Sequence, residues 1–251
     1  PMDLWSQMDF LEPEILGQQS FYAFRTKYAV LITASAAGGT HKFQKIVKFK
    51  NLKELGKLVS PHSYRILKKD CLDLPDKIFT KRIIELSDEQ KKAYSEMKTS
   101  AITILKGEAA TAVNVLTQLI KLHQITCGHM KTDSGDIINL KNSRLDELMQ
   151  ILGETTGKAI IWANYIHDIN TIESAIKKEF GLDSYCTYYG ATKQEDRQAC
   201  INKFQDETNP VRFFIGNTQT GGYGITLTQA STVIYYSNNY DLEKRIQSED
   251  R

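Results

Sequence analysis

No apolar run in the 251 residues approaches the ~20 that a membrane-spanning helix needs. Pro1-Met2-Asp3-Leu4 lacks a basic stretch leading into an apolar core, so no secretory signal is read there. An initiator Met is also missing, and the chain is expected to be cut from something longer. Internal repeats and low-complexity tracts are absent. Only four cysteines occur, Cys71, Cys127, Cys186 and Cys200, widely spaced and in apolar contexts. Reduced, buried thiols in a cytoplasmic protein are the expectation.

An excess of charge of one sign is lacking too, with 32 Lys and Arg against 30 Asp and Glu and a net value of only +2. Its distribution says more. Up to Gly135 there are 20 Lys and Arg against 14 Asp and Glu; from Asp136 onward there are 12 against 16. The surplus is densest over Lys42, Lys45, Lys48, Lys50, Lys53, Lys57, Arg65, Lys68 and Lys69. Such a run suits a phosphate-facing surface, or simply a solvated face.

What is present falls into two halves of different pattern. The first reads mainly as helices. Asn51 and Glu54 form a capping-box pattern, and Ser60-Pro61 stops that helix. Ser87 to Gln90 is a second capping box, opening a helix to about Leu105. Another helix is expected over Ala112 to Thr126. Ile78 to Leu86 has strand character, and Ala36 to Thr40 a loop. In the second half, helix and strand alternate. A helix capped by Ser143 ends at Gly153, and Ala159 to Ala163 reads as a buried parallel strand. After a helix to Phe180 come strands at Tyr185 to Tyr189, Val211 to Ile215 and Ser231 to Tyr236. Thr192 with Glu195 caps one intervening helix and Asp241 a last one. This rhythm predicts an α/β fold with a parallel sheet covered on both faces.

Ligands in such sheets bind beyond the carboxyl ends of strands. The loop Gly216 to Ile225 follows one: Gly221, Gly222 and Gly224 allow close backbone approach, and Thr218, Gln219 and Thr220 offer uncharged hydrogen bonds to phosphate. A mobile turn would read the same way. Gly153 to Ala159 imitates a phosphate-binding P-loop but fails. Three residues separate its glycines instead of four, Ala159 replaces the magnesium-binding Ser/Thr, and it precedes a strand. No acidic pair ends an apolar strand. The usual machinery for nucleotide hydrolysis is therefore absent from these residues. His123, Cys127 and His129 match no common zinc spacing, so no metal site is expected. They read as packing or helix-end residues; a nucleophilic Cys–His pair stays open, with nothing favouring it.

Several segments, in order, resemble Snf-type members of the superfamily-two helicase-like ATPases. Pro1 to Leu11 is similar to the "P-x-D-L-W/F-x-x-x-x-F-L" that follows the third motif, and Phe21 to Tyr28 to the helix after it. Tyr64 to Asp70 with Leu74 to Lys77 resembles "L-R-R-x-K-x-D-V … L-P-x-K". Leu86-Ser87, Gln90 and Tyr94 resemble "L-S-x-x-Q-x-x-x-Y". Leu122 to His129 is similar to a helix ending "R-Q-I-C-N-H-P", with Gly128 in place of Asn. Ile160 to Tyr165 resembles motif IV, Tyr189 to Phe204 motif IVa, Thr218 to Leu227 motif V, and Gln247 to Arg251 the start of motif VI. The flavour is that of compact bacterial or phage members.

The resemblance implies a RecA-like second motor lobe preceded by mostly helical Snf-type insertions. Its divisions would be a first helical protrusion at 1–62, the tail of the first lobe at 63–86, a second insertion at 87–135 and the second lobe at 136–251. It implies ATP and Mg²⁺ bound between two lobes, with phosphate and magnesium ligands in a first lobe outside this chain. Arg251 matches the first motif VI arginine, a finger towards the γ-phosphoryl oxygens, with Gln247 positioning its helix and Gly222 and Gly224 lining the cleft. Asn164, Thr218, Gln219 and Thr220 would hold one strand of duplex DNA, helped by Lys45, Lys48 and Lys50. Gln219 stands where many members carry Arg. The implied activity is ATP-dependent translocation on double-stranded DNA by a monomeric, cytoplasmic protein, without membrane attachment. A strand-separating helicase, or a non-catalytic DNA-binding or interaction module, are the alternatives.

Overall fold

The two apolar runs expected as central strands are strands with both faces covered. In a computed structural model describing residues 1–35, 42–67, 77–106, 112–221 and 224–249, the chain divides into two compact units, Pro1–Phe79 and Thr80–Arg251. The expected loop at Ala36 to Thr40 lies outside the described residues, as do Lys68, Lys69, Gly222 and Arg251.

The second unit carries a four-stranded, wholly parallel sheet. Its strands are β5 (Lys158–Trp162), β6 (Tyr185–Tyr188), β7 (Phe213–Gly216) and β8 (Ala230–Tyr235), in spatial order β6-β7-β5-β8. Side chains alternate along each strand. Ala159, Ile161, Phe213 and Ile215 pack on one face against Leu148 and Leu152 of α6 (Arg144–Glu154) and Ile169, Ile172 and Ile176 of α7 (Ile166–Phe180). Ile160, Trp162 and Phe214 pack on the other with Cys200 and Phe204 of α8 (Gln194–Gln205) and with Leu227. Burial on both faces explains why Ala159–Trp162 of β5 and Phe213–Ile215 of β7 are continuous apolar runs rather than alternating.

Two further helices and a small hairpin precede the sheet: α4 (Asp88–Lys106), α5 (Ala112–Cys127), β3 (His129–Lys131) and β4 (Ile137–Asn139). The Ser87 capping box is realised in both directions. Gln90 N donates to Ser87 Oγ at 3.1 Å, and Ser87 N to Gln90 Oε1 at 3.1 Å. Gln90 then donates Nε2 to Ile125 O at 2.8 Å, so one side chain caps α4 and ties it to the end of α5. Gly128 ends α5 at φ +91°, and a Cβ there would run into the Asn142 amide.

The first unit holds α1 (Leu4–Leu11), α2 (Phe21–Tyr28) and α3 (Leu52–Val59) around Met8, Leu16, Phe24, Tyr28 and Leu55. Between α2 and α3 the expected helical character gives way to an antiparallel ribbon, β1 (Ala29–Ser35) and β2 (Lys42–Phe49). Asn51 stands at the N-cap of α3 but makes no side-chain cap bond. It sits at φ 56°, donates Nδ2 to Lys27 O at 2.9 Å, and leaves Glu54 to pair with Lys27 at 2.6 Å.

Other expectations are corrected locally. Residues 77–87 form no strand: Ile78 and Ile83 are 89% and 93% exposed, and among the described residues no neighbouring strand takes up their backbone hydrogen bonds. Thr192 does not cap α8, because its hydroxyl accepts from Tyr189 N. Ser143 makes no cap bond either; Asn142 Oδ1 accepts from Arg144 N in its stead. Asp241 does cap α10 (Leu242–Glu249), accepting from Lys244 N. Cys186 and Cys200 are joined as a disulfide rather than held as two thiols; β6 and α8 bring their Cα atoms to 5.6 Å, inside the usual range for a bridge.

Candidate nucleic-acid interface

The carboxyl ends of β5, β7 and β8 are adjacent in the sheet, and the chain leaves each through a polar turn. Asn164 follows β5, Asn217 and the short helix α9 (Thr218–Gly221) follow β7, and Ser237 and Asn239 follow β8. Two backbone bonds extend the ladder past the strands: Ala163 N donates to Gly216 O at 2.9 Å and Tyr236 N to Trp162 O at 2.9 Å. Side chains then knit the turns together. Asn217 Nδ2 donates to Asn164 O at 2.8 Å, while Asn217 Oδ1 accepts from Gln219 N at 2.7 Å. Asn239 Nδ2 donates to Thr218 Oγ1 at 3.0 Å, and Asn164 N to Ser237 Oγ at 2.8 Å.

The loop glycines divide into two kinds. A Cβ on Gly216 or Gly221 would come within 2.7–2.8 Å of the Trp162 ring, so these two glycines serve the packing of Trp162 beneath the turn. Gly224, by contrast, has φ +68° and open space around it, which leaves its backbone approachable.

The expected site residues are thus partly brought together. Asn164, Thr218, Gln219 and Thr220 share this edge. Gln219 is exposed and Thr220 half-buried, while Thr218 is only 6% exposed and its oxygen is engaged by Asn239. Gln247 lies in α10, its Nε2 donating to Glu243 Oε1 at 3.1 Å and its Oε1 buried without a partner. Lys45, Lys48 and Lys50 are exposed in the first unit. Lys158, the apparent P-loop lysine, donates to Phe204 O and Asp206 O at 2.8 and 2.7 Å and so ends α8.

Behind the turns lies a set of buried polar groups. Asp168, in the first turn of α7, and His129, in β3, are each 2% exposed, with Oδ1 and Nδ1 at 3.2 Å. Asp168 Oδ2 accepts from Ser237 Oγ at 2.9 Å. His123 shares a 2.8 Å hydrogen bond with the Tyr165 hydroxyl, and burial together with the nearby Arg144 charge holds its pKa below the ordinary value. Burial pushes the Cys127 thiol up to about 12, which makes it a poor nucleophile. Among the described residues no group of three or more His, Cys, Asp or Glu could hold a metal ion. No helix among them is long and apolar enough to cross a membrane. Asp168, Ser237 and Asn239 carry no local signal in the sequence; only the sheet brings them beside Asn164 and Thr218.

Comparison with known proteins matches two successive stretches of the chain. Residues 1–131 match the SNF2-related domain, and residues 141–251 the helicase conserved C-terminal domain. The chain is 27% identical over 255 residues to an uncharacterized ATP-dependent helicase of Mycoplasma genitalium, covering 100% of this chain and 23% of that protein. Among solved structures it is similar to the SWI2/SNF2 ATPase core domain of Sulfolobus solfataricus. There the TM-score is 0.57 and the identity 27%, over 99% of this chain and 50% of that one. The Sulfolobus solfataricus core in complex with double-stranded DNA matches at TM-score 0.53 and 29% identity, over 93% of this chain and 48% of that one. The chain thus spans about a quarter of the curated relative and half of the solved cores. It belongs to the SNF2-related family, as an SNF2-related domain continued by a helicase conserved C-terminal domain.

Proposed function

We propose that this chain is the DNA-gripping second lobe, with its preceding insertions, of an ATP-driven translocase on double-stranded DNA. The observation that carries the reading is the joined row of Asn164, Asn217, Thr218 and Asn239 at the carboxyl edge of a parallel sheet. Uncharged amides and hydroxyls at that edge suit phosphate oxygens, and phosphate contacts position a protein on DNA without reading its sequence. A motor that steps along any sequence needs that indifference, since base contacts would hold it at favoured sites.

The ribbon of the first unit supplies charge. Lys45 opposes Ile32 and Lys48 opposes Val30, with one extra residue in β2 between Val30 and Leu31 of its partner. Residues three apart on a regular strand point to opposite faces; the bulge returns Lys48 to the face of Lys45. Two exposed lysines on one face, with Lys50 just past the strand end, favour a phosphate-facing role for the basic run.

ATP would meet this chain at Gly222, Gly224, Gln247 and Arg251. The open backbone at Gly224 and the unpartnered Gln247 Oε1 fit such a cleft. Bound ATP, with Mg²⁺, supplies the phosphoryl group whose transfer to water drives the cycle. Arg251 would place a fixed cation beside its oxygens, a contribution on the order of 10³–10⁵ in rate for such fingers. The protein would act in the cytoplasm as a monomer with its first lobe. Hydrolysis by the full-length protein, measured with and without duplex DNA, tests the reading. Stimulation by duplexes of unrelated sequence supports it, and equal rates with and without DNA reject it.

A further inference from the structure

Asp168 is a buried carboxylate that neither the phosphate-holding turns nor the nucleotide side uses directly. Its two oxygens face two segments. Oδ1 stands 3.2 Å from His129 Nδ1 in the strand that follows α5, and Oδ2 accepts from Ser237 Oγ at 2.9 Å. Ser237, itself buried, accepts in turn from Asn164 N at 2.8 Å. From Asn164 the chain of bonds runs on through its carbonyl to Asn217 Nδ2, and from Asn217 Oδ1 to Gln219 N.

The direction of this chain is set at one end. The Asn164 N–H can only donate, so Ser237 Oγ accepts from it and the single Ser237 hydroxyl hydrogen is left for Asp168 Oδ2. The Ser237 lone pairs are then left for the Asn164 amide, which fixes the peptide entering Asn164; the carbonyl that holds Asn217 belongs to the next peptide, one residue's φ and ψ away. A hydroxyl without the carboxylate could turn its hydrogen, and with it its lone pairs, away from the geometry that holds the Asn164 amide.

Resting on the duplex-translocase reading above, we propose that Asp168 and Ser237 are positioning residues for the DNA-holding turns. They set the Asn164–Asn217 crossing from behind and touch no phosphate themselves. Asp168 Oδ1 also lies 3.2 Å from His129 Nδ1, which makes no hydrogen bond there, so β3 packs beside the same carboxylate.

The test uses the full-length protein with Ser237→Ala and Asp168→Asn. Ser237→Ala removes the link, whereas Asp168→Asn keeps an oxygen able to accept from Ser237. Hydrogen exchange at the Asn164 amide, the duplex concentration giving half-maximal hydrolysis, the KM for ATP and the salt dependence of DNA binding are measured. For Ser237→Ala we expect faster Asn164 exchange and a roughly tenfold higher half-saturating DNA concentration, the scale of one lost hydrogen bond. The KM for ATP and the salt slope should stay as they are, because no phosphate-neutralising charge is lost. Asp168→Asn should remain within about threefold of the parent, by the same measure. Unchanged Asn164 exchange in Ser237→Ala overturns the proposal. So does a parallel fall in turnover and ATP affinity, which would indicate general damage, or a changed salt slope, which would indicate direct phosphate contact. A parent protein without DNA stimulation would reject the translocase reading, while Asn164 exchange would still decide this one.

Discussion

The Arg144 guanidinium joins the end of a helix to the end of a strand: Nη2 donates to Thr126 O at 2.8 Å and Nη1 to Tyr236 O at 2.5 Å. It also lies over the Tyr236 ring at 5.6 Å. Thr126 closes α5 and Tyr236 follows β8, so one side chain binds α5 to the parallel sheet. The two carbonyls diverge, and a planar fork can serve both where a single ammonium cannot. Arg144→Lys should therefore lower the free energy of unfolding by about 1–3 kcal/mol, the range for lost hydrogen bonds to a charged group. Urea denaturation checks this, with the midpoint falling and the slope unchanged. An unmoved midpoint would show that the lysine serves as well.

Acid should weaken the second unit through its histidines. Burial, then the Arg144 charge, lowers the His123 pKa from its ordinary 6.5; burial, then His129, lowers that of His167. As pH falls below about 6.5, the unfolded chain takes up protons at these rings and the folded chain does not. Stability then drops with falling pH until the folded rings protonate in turn. Thermal melts should show a lower Tm at pH 5.5 than at pH 7.5, by the same linkage. His123→Phe should flatten that dependence, even though it loses the Tyr165 bond at every pH. An identical pH profile in the variant would contradict the assignment.

Arg251 belongs to the motif VI resemblance. In the full-length protein, Arg251→Ala should leave ATP binding nearly intact and reduce DNA-stimulated turnover by at least about tenfold, because a finger acts mainly in the transition state. Steady-state kinetics with a separate nucleotide-binding titration distinguish the two. Lost affinity with preserved turnover would make Arg251 a ground-state contact.

The ribbon lysines make a prediction about salt. Each phosphate neutralised adds a slope of about 0.9 in log K against log salt. Replacing Lys45, Lys48 and Lys50 with Ala should flatten the dependence by up to that amount per lysine. Exchanging neighbours, Gln44→Lys with Lys45→Gln, keeps the charge but moves it to the face that carries Thr33. That exchange should lose about one contact's slope. Equal slopes for parent and triple variant would remove the ribbon from the interface.

How far the sequence could be read follows from where each signal resides. β5 and β7 were legible because burial on both faces leaves a continuous apolar run, and the Ser87 box because its partners are three residues apart. The ribbon was not. Its bulge breaks the two-residue period at Val47, and exposed lysines on a helix-like three-residue spacing hide the strand. Residues 77–87 misled in the opposite sense, since an apolar run becomes a strand only with a neighbour to bond. At the interface, the Gly216–Thr220 turn was legible by composition. The Asp168–Ser237 bond was not, because it joins residues brought together only by the order β7-β5-β8.

The most direct measurement of the central claim is displacement of a third strand from a DNA triplex by the full-length protein. A duplex translocase should strip the third strand in an ATP-dependent manner, leave the underlying duplex paired, and do so on unrelated sequences. Release without ATP, or separation of the duplex itself, would contradict the account.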